Sequence, residues 1–111
     1  MATKIKSVDP GTAKIILESG AHMIDVRSEQ EWAAAHVEGS DRVAAADLGS
    51  HSVGRADTVV VVCRSGSKSK RAAKKLAREG YRVYHLAGGL VAWRSSGLPL
   101  VASNGARTPA L

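Results

Sequence analysis

The 111-residue chain is poor in cysteine and in aromatic residues. It contains one cysteine, no phenylalanine, two tryptophans and two tyrosines. A single cysteine excludes an internal disulfide. The four histidines have no short metal-ligand spacing and no second cysteine to join them, so the sequence predicts no metal site and no cofactor. An unpaired thiol also suits a reducing compartment, which predicts a cytoplasmic location.

Long apolar runs are also missing. No segment is long enough to span a bilayer, and no signal peptide is recognisable, so we expect no membrane contact. With 44% apolar and 23% charged residues, the chain can bury one core but not two. We therefore predict a single domain at residues 1–102 and a flexible tail at residues 103–111. No heptad pattern marks an interface, so a monomer is the default expectation.

The position of Cys63 is the most informative feature of the sequence. It follows four valines at residues 59–62, a run typical of a strand that is buried on both faces. In open parallel α/β sheets, ligands bind outside the carboxyl ends of the strands. This pattern predicts that Cys63 lies at a ligand site, whereas a lone cysteine elsewhere is more often a small core residue.

The segment after Cys63 is suited to bind an anion. Gly66 permits backbone angles that turn successive N–H groups inward to form a nest. Residues 70–78 predict a helix that ends at Gly80, and the positive end of its dipole faces the cysteine. Arg64 and Lys68 add two full charges. Together these features favour the thiolate form of Cys63 over the thiol.

The net charge of +6 raises the question of nucleic-acid binding. Aromatic residues are scarce, no recognised nucleic-acid module is present, and the charge concentrates on the helix after Cys63. We therefore expect no nucleic-acid partner. An anionic small molecule or an acidic partner protein accounts better for that concentration. Lys74, Lys75 and Arg78 themselves are interpreted as a solvated helix face.

Three segments resemble the rhodanese superfamily, in the same order and spacing, and the resemblance covers roughly residues 4 to 101. The segments are Ile24-Asp25-Val26-Arg27 with Glu31-Trp32 and His36-Val37-Glu38-Gly39; Cys63-Arg64-Ser65-Gly66-Ser67-Lys68-Ser69; and Tyr81-Arg82-Val83-Tyr84-His85-Leu86-Ala87-Gly88-Gly89-Leu90 with Trp93 and Gly97-Leu98-Pro99. Two positions depart from the family pattern. Ala35 replaces a frequent glycine, and Lys68 replaces a frequent arginine, so a mobile point charge stands where a fixed guanidinium fork is usual.

The resemblance implies an α/β protein with the three-layer rhodanese-like fold, in which a mainly parallel sheet of about five strands is flanked by helices. The alternation of elements along the chain agrees with a parallel sheet. The sequence predicts strands at residues 5–8, 23–26, 42–45, 59–62 and 82–86. It predicts helices at residues 10–19, 28–35, 70–78 and 90–95.

The resemblance also implies a two-step transfer of sulfane sulfur. The thiolate of Cys63 would take sulfur from thiosulfate or another anionic donor, and the resulting persulfide would pass it to cyanide or to an acceptor thiol, which could belong to a protein. Backbone N–H groups of residues 64–68 would stabilise the sulfur. The candidate site then comprises catalytic Cys63 and the substrate-binding residues Arg64, Ser65, Gly66, Ser67 and Lys68.

The polar residues upstream of the cysteine are interpreted as structural. Ser28 followed by Glu31 fits a capping box at a helix start. Arg27 and Glu31 have the spacing of a helical ion pair. Trp32 and Trp93 are large side chains in a chain without phenylalanine, so we expect both to pack in the core.

The sequence leaves two alternative functions open. Related phosphatases and arsenate reductases use a cysteine, five further residues and an arginine, and Ser69 occupies that arginine position here. The other alternative is a non-catalytic interaction module, but such relatives usually lack the cysteine.

Overall fold

Across the described residues, five strands and four helices largely alternate along the chain. A computed structural model describes residues 5–48, 57–108 and 111. The strands are β1 (Lys6–Val8), β2 (His22–Asp25), β3 (Asp41–Arg42), β4 (Thr58–Val62) and β5 (Arg82–Leu86). The helices are α1 (Pro10–Glu18), α2 (Glu29–Ala34), α3 (Ser67–Arg78) and α4 (Gly89–Ser95), and a 3-10 turn spans Ala45–Asp47.

The strands form one parallel sheet in the order β1-β5-β4-β2-β3. This confirms the predicted α/β fold with a five-stranded parallel sheet. β4 lies in the middle of the sheet, and each of its four valines is 0% exposed. The residue after β4 therefore emerges at the centre of the carboxyl edge, where parallel α/β sheets bind ligands.

Each face of the sheet is covered by an apolar layer. Val60 and Val62 point toward α1 and α4, where Leu90 and Trp93 are buried. The alternate valines pack on the other face with buried residues of α3, namely Ala72, Ala73 and Leu76. The period of two in the strand thus splits one valine run between two cores. The result is the three-layer architecture expected from the resemblance.

Most predicted elements lie within one or two residues of the observed ones, and two differ more. α3 begins at Ser67 rather than at residue 70, because Gly66 starts the helix with a left-handed φ of 107°. The prediction of a strand at residues 42–45 was wrong in part. β3 pairs with β2 only at Asp41 and Arg42, and the chain then turns into the 3-10 helix.

The two tryptophans differ in their surroundings. Trp93 is 3% exposed, as predicted for a core residue, and its indole N–H donates to the carbonyl of Pro99. Trp32 is only part-buried: its N–H donates to Ser40, and its ring stacks on the imidazole of His36 with centroids 3.7 Å apart. The core prediction is therefore confirmed for Trp93 and holds only in part for Trp32.

The C-terminal residues return to the body of the protein. Ser103 donates its backbone N–H to Ala33, and Thr108 donates to Leu100. The domain limit at residue 102 and the flexibility of the tail stay predictions, and residues 109 and 110 lie outside the described part. Over the described ranges, none of the helices combines the length and hydrophobicity needed to cross a bilayer.

Candidate functional site

Cys63 lies directly after β4, at the carboxyl edge of the sheet. Its side chain is 4% exposed and packs with the α3 side of the core. The neighbouring strands β2 and β5 lie on either side of it. The buried valines of β4 thus place a sulfur atom at the point where the sheet gives way to the loop and α3.

Two backbone N–H groups point at the sulfur. The amide of Gly66 donates to Sγ at 3.1 Å and the amide of Ser69 donates at 3.3 Å. Gly66 belongs to the predicted set of amides at residues 64–68, whereas Ser69 lies one residue beyond it. Both donors are at the start of α3, where the helix dipole is positive. Amide dipoles that converge on a buried sulfur stabilise a negative charge there.

A pocket of about 220 Å³ opens in front of the sulfur. It brings together the predicted site residues, except that Gly66 takes part through its amide rather than as a lining side chain. It also includes three side chains that the sequence analysis did not assign to the site. The lining residues are Arg27, Glu31, Cys63, Arg64, Ser65, Ser67, Lys68 and Arg71. Four cations and one carboxylate thus surround Cys63.

Arg27 forms a buried ion pair with Asp25 rather than the predicted helical pair with Glu31. Its guanidinium Nη2 donates to Asp25 Oδ2 at 2.8 Å and to the carbonyl of Ala35 at 2.6 Å. The side chains of Arg27 and Asp25 are 3% and 1% exposed. Charges buried this deeply need such partners. Arg27 precedes α2, so the spacing of four residues did not place it on the helix beside Glu31.

Glu31 forms the predicted capping box with Ser28 and also lines the pocket. Its carboxylate accepts from the hydroxyl and the backbone N–H of Ser28, while its own N–H donates to that hydroxyl. The hydrogen bond from the Ser28 side chain lowers the pKa of Glu31 most, followed by that from the Ser28 backbone. Burial opposes these hydrogen bonds and raises the pKa, and the charges of Arg27 and then Lys68 lower it by smaller amounts. An ionised carboxylate therefore lies close to Lys68.

The N-terminus of α4 holds in place the loop that joins β4 to α3, residues 63–66, which we call the reactive loop. Leu90 N–H donates to the carbonyl of Cys63 at 2.9 Å, and Val91 N–H donates to that of Arg64 at 3.0 Å. This contact requires glycine at position 89. A Cβ there would lie 2.4 Å from the carbonyl oxygen of Arg64, and φ is 62°. Gly88 and Gly89 belong to the segment that resembles the family, and the structure gives the physical reason for glycine at position 89.

The model of the Rhodanese-like domain family matches residues 9–96. The chain belongs to this family.

Curated relatives match over most of their length. "Thiosulfate sulfurtransferase GlpE" of Pseudomonas paraeruginosa is 34% identical over 105 residues, which cover 86% of this chain and 89% of the relative. "Thiosulfate sulfurtransferase 18" of Arabidopsis thaliana is 30% identical over 116 residues, which cover 89% and 85%. A rhodanese-related protein from Thermoplasma volcanium has a TM-score of 0.80 at 21% identity, covering 86% of this chain and 97% of that one, and supports the fold alone.

The three described histidines of this rhodanese-like domain, His22, His36 and His85, do not form a cation site. Across the residues with described placement, no group of three or more histidine, cysteine, aspartate or glutamate side chains could hold a metal ion. His51 falls outside those residues. The absence of a metal therefore stays a prediction from the sequence.

We predict that Gly89→Ala disrupts the reactive loop of this rhodanese-like domain. The added methyl group would collide with the carbonyls of Arg64 and Cys63, so the loop must move or α4 must withdraw. We expect Gly89→Ala to lower the free energy of unfolding by at least about 2 kcal/mol more than the matched variant Gly97→Ala. Chemical denaturation measures the loss of stability, and the alkylation rate of Cys63 reports the movement of the loop.

Gly97 is a suitable control because it also has a left-handed φ, 80°, but a Cβ there meets nothing within 4 Å. Gly97→Ala therefore carries the conformational cost of about 1–2 kcal/mol without the collision. Equal losses in the two variants would show that the close approach of α4 to the loop is unimportant.

We predict that Glu31 makes a pH-dependent contribution to stability. Its pKa is lower in the folded protein than the ordinary value of 4.5, so the carboxylate stabilises the fold above pH 4.5. That contribution is lost as the pH falls through the lowered pKa. Glu31→Gln keeps the capping hydrogen bonds but not the charge, and should cost about 0.3–1 kcal/mol above pH 4.5.

Denaturation curves of wild type and Glu31→Gln across this pH range measure the effect. Their difference in unfolding free energy should shrink with falling pH, and it should be smaller throughout when Ser28→Ala is present in both proteins. A difference that is independent of pH would contradict the role given to the ionised carboxylate.

Proposed function

We propose that the protein is a sulfurtransferase that carries sulfane sulfur as a persulfide on Cys63. The relatives that match over most of their length are named thiosulfate sulfurtransferases, which supports this class of activity. The observation that carries the proposal is the environment of Sγ. It receives two amide N–H groups and faces a small pocket that contains four cations.

The first step loads the cysteine. The thiolate of Cys63 attacks the sulfane sulfur of thiosulfate, the S–S bond of the donor breaks, and sulfite leaves with the electron pair. Cys63 then carries a persulfide. Arg64 and Lys68 line the pocket and would hold the oxyanion of the donor. Ser65 and Ser67, which also line the pocket, and the backbone of Gly66 complete the proposed substrate-binding loop.

The second step unloads the sulfur. A thiolate acceptor or cyanide attacks the terminal sulfur, the persulfide bond breaks, and Cys63 leaves as a thiolate. The acceptor departs as a persulfide or as thiocyanate. Neither step needs an external oxidant or reductant, because the sulfane sulfur only changes partner. The amides of Gly66 and Ser69 would stabilise Cys63 as both nucleophile and leaving group.

The size and charge of the pocket support a small anionic donor. About 220 Å³ is enough for thiosulfate or the tip of one persulfide side chain, so the rest of a larger ligand would extend outside the pocket. A protein donor or acceptor would therefore insert a single side chain and rest on the rim. The exposed cations Lys74 and Arg78 continue from this rim along α3 and would attract an acidic partner.

The surroundings of Ser69 argue against phosphatase or arsenate-reductase activity. This residue occupies the position of the arginine in the related phosphatases, but it is 0% exposed. Its hydroxyl donates to the carbonyl of Gly66 and its amide donates to Cys63 Sγ. No side chain at position 69 is therefore available to hold a phosphate. A non-catalytic interaction module would not need two amide N–H groups and several cations placed around Sγ.

The proposal predicts that thiosulfate adds one sulfur atom to the protein at Cys63. Intact-protein mass spectrometry under non-reducing conditions, after incubation with thiosulfate, measures this directly. The mass gain should be present in wild type, absent in Cys63→Ser, and reversed by cyanide with formation of thiocyanate.

A gain that persists in Cys63→Ser would refute the role of this residue. A wild-type protein that gains no sulfur from thiosulfate or from a small-molecule persulfide would contradict sulfur transfer itself. Hydrolysis of an aryl phosphate and binding of partner proteins would then be measured as the alternatives.

A further inference from the structure

His85 is a buried polar residue that the proposed reaction does not use. It lies in β5, is 5% exposed, and faces the α3 side of the sheet together with Val83. Its ring bridges two parts of the chain. Nδ1 lies 3.0 Å from the hydroxyl of Ser7 in β1, and Nε2 lies 2.8 Å from the carbonyl oxygen of Gly66.

The carbonyl partner fixes the proton on the ring. An oxygen of a peptide group only accepts hydrogen bonds, so Nε2 of His85 must carry a proton and donate it to Gly66. In the neutral ring Nδ1 then has a free lone pair and accepts from the Ser7 hydroxyl. The parallel register places Ser7 directly beside His85, so the sheet itself holds this end of the ring.

Among the described residues, three donors hold the Gly66 carbonyl, and His85 is the one that ties it to the sheet. The other two, the amide of Lys70 at 3.0 Å and the hydroxyl of Ser69 at 3.2 Å, belong to α3 itself. The imidazole also packs on the open side of Gly66, since a Cβ there would lie 3.4 Å from Nε2. The position of the Gly66 turn relative to β4 and Cys63 thus depends on His85.

We propose that His85 is a positioning residue for Cys63. By holding the Gly66 carbonyl it fixes the orientation of the turn, and so aims the Gly66 N–H at Sγ from 3.1 Å. Its consequence for sulfur transfer rests on the function proposed above. Its effect on the thiolate does not, because that effect is present in the free protein.

Two amide substitutions separate the two ends of the ring. The side-chain nitrogen of His85→Gln reaches about as far as Nε2 and can still donate to Gly66. The side chain of His85→Asn is one methylene shorter and reaches only to about Nδ1, near Ser7. Both variants are neutral and polar, so they differ in the contact with Gly66 rather than in charge.

The primary measurement is the rate of Cys63 alkylation by iodoacetamide as a function of pH, followed by mass spectrometry. We expect the midpoint of this profile to rise by about one pH unit in His85→Asn, which means about tenfold less thiolate below the midpoint. His85→Gln keeps the donor to Gly66 and loses only the contact with Ser7, so its midpoint should rise by much less than that of His85→Asn, about as little as in Ser7→Ala. Equal midpoints for the two amide variants would overturn the proposal.

A merely structural role is tested with Val83→Ala. Val83 lies on the same strand and the same face as His85, but its apolar side chain makes no hydrogen bond to the Gly66 turn. Loss of its two methyl groups should lower the unfolding temperature and leave the pH profile of Cys63 alkylation unchanged. A shift as large as that of His85→Asn would overturn the proposal. The charged residues around Cys63 are the same in every variant, namely Arg27, Glu31, Arg64, Lys68 and Arg71.

Ser7→Ala keeps the test decisive if His85→Asn does not fold. Ser7 is exposed, and its substitution frees only the Nδ1 end of the ring. We expect an upward shift in the same direction but smaller, and an unchanged profile would overturn the proposal.

Sulfur loading from thiosulfate, measured in parallel, separates this proposal from the proposed function. A wild type that takes no sulfur while His85→Asn shifts the alkylation profile refutes only sulfur transfer. Normal sulfur loading with no shift refutes only the role of His85.

Discussion

A sulfur atom that is to carry negative charge lies at the end of a strand whose four valines exclude water. Burial disfavours a charge, so the protein must replace the lost hydration. It does so with the amides of Gly66 and Ser69, which approach Sγ at the positive end of α3. Much of the local structure can be understood as a means of holding these two dipoles in position.

The reactive loop is held from two directions. From one side, α4 donates the amides of Leu90 and Val91 to the carbonyls of the first two loop residues, and Gly89 makes that approach possible. From the other, β5 reaches the Gly66 carbonyl through the ring of His85. Because the loop carbonyls are held by α4 and the sheet, its amides are free to face the sulfur. The cations that line the pocket would then attract the anionic donor of the proposed reaction.

The sequence predicted the features that depend on local pattern. A run of valines before Cys63 and a glycine before a basic helix were enough to place the cysteine at the carboxyl edge of a parallel sheet. The capping box of Ser28 and Glu31 was also predictable, because it depends on residues three apart. The parallel five-stranded sheet followed from the alternation of elements and from the family resemblance.

The features that the sequence did not predict depend on distant contacts or on exact backbone angles. The amide of Ser69 also donates to Sγ because α3 begins at Ser67, three residues before its predicted start. This earlier start follows from the φ angle of Gly66. Arg27 pairs with Asp25 rather than with Glu31 because both side chains of that pair are buried and each charge needs a partner. The four-residue spacing from Glu31 did not show this. His85 meets Gly66 across nineteen residues, through a strand register that no local pattern shows.

The two amides are expected to stabilise the charge on the sulfur of Cys63. The most direct measurement is a pH titration of the backbone amide signals by nuclear magnetic resonance, with Cys63→Ser as the reference. We expect the Gly66 and Ser69 signals to move together as Sγ loses its proton, by more than the other loop amides, and neither to show this step in Cys63→Ser. Amide signals that do not respond to the ionisation of Cys63, or that respond equally in the variant, would contradict this expectation.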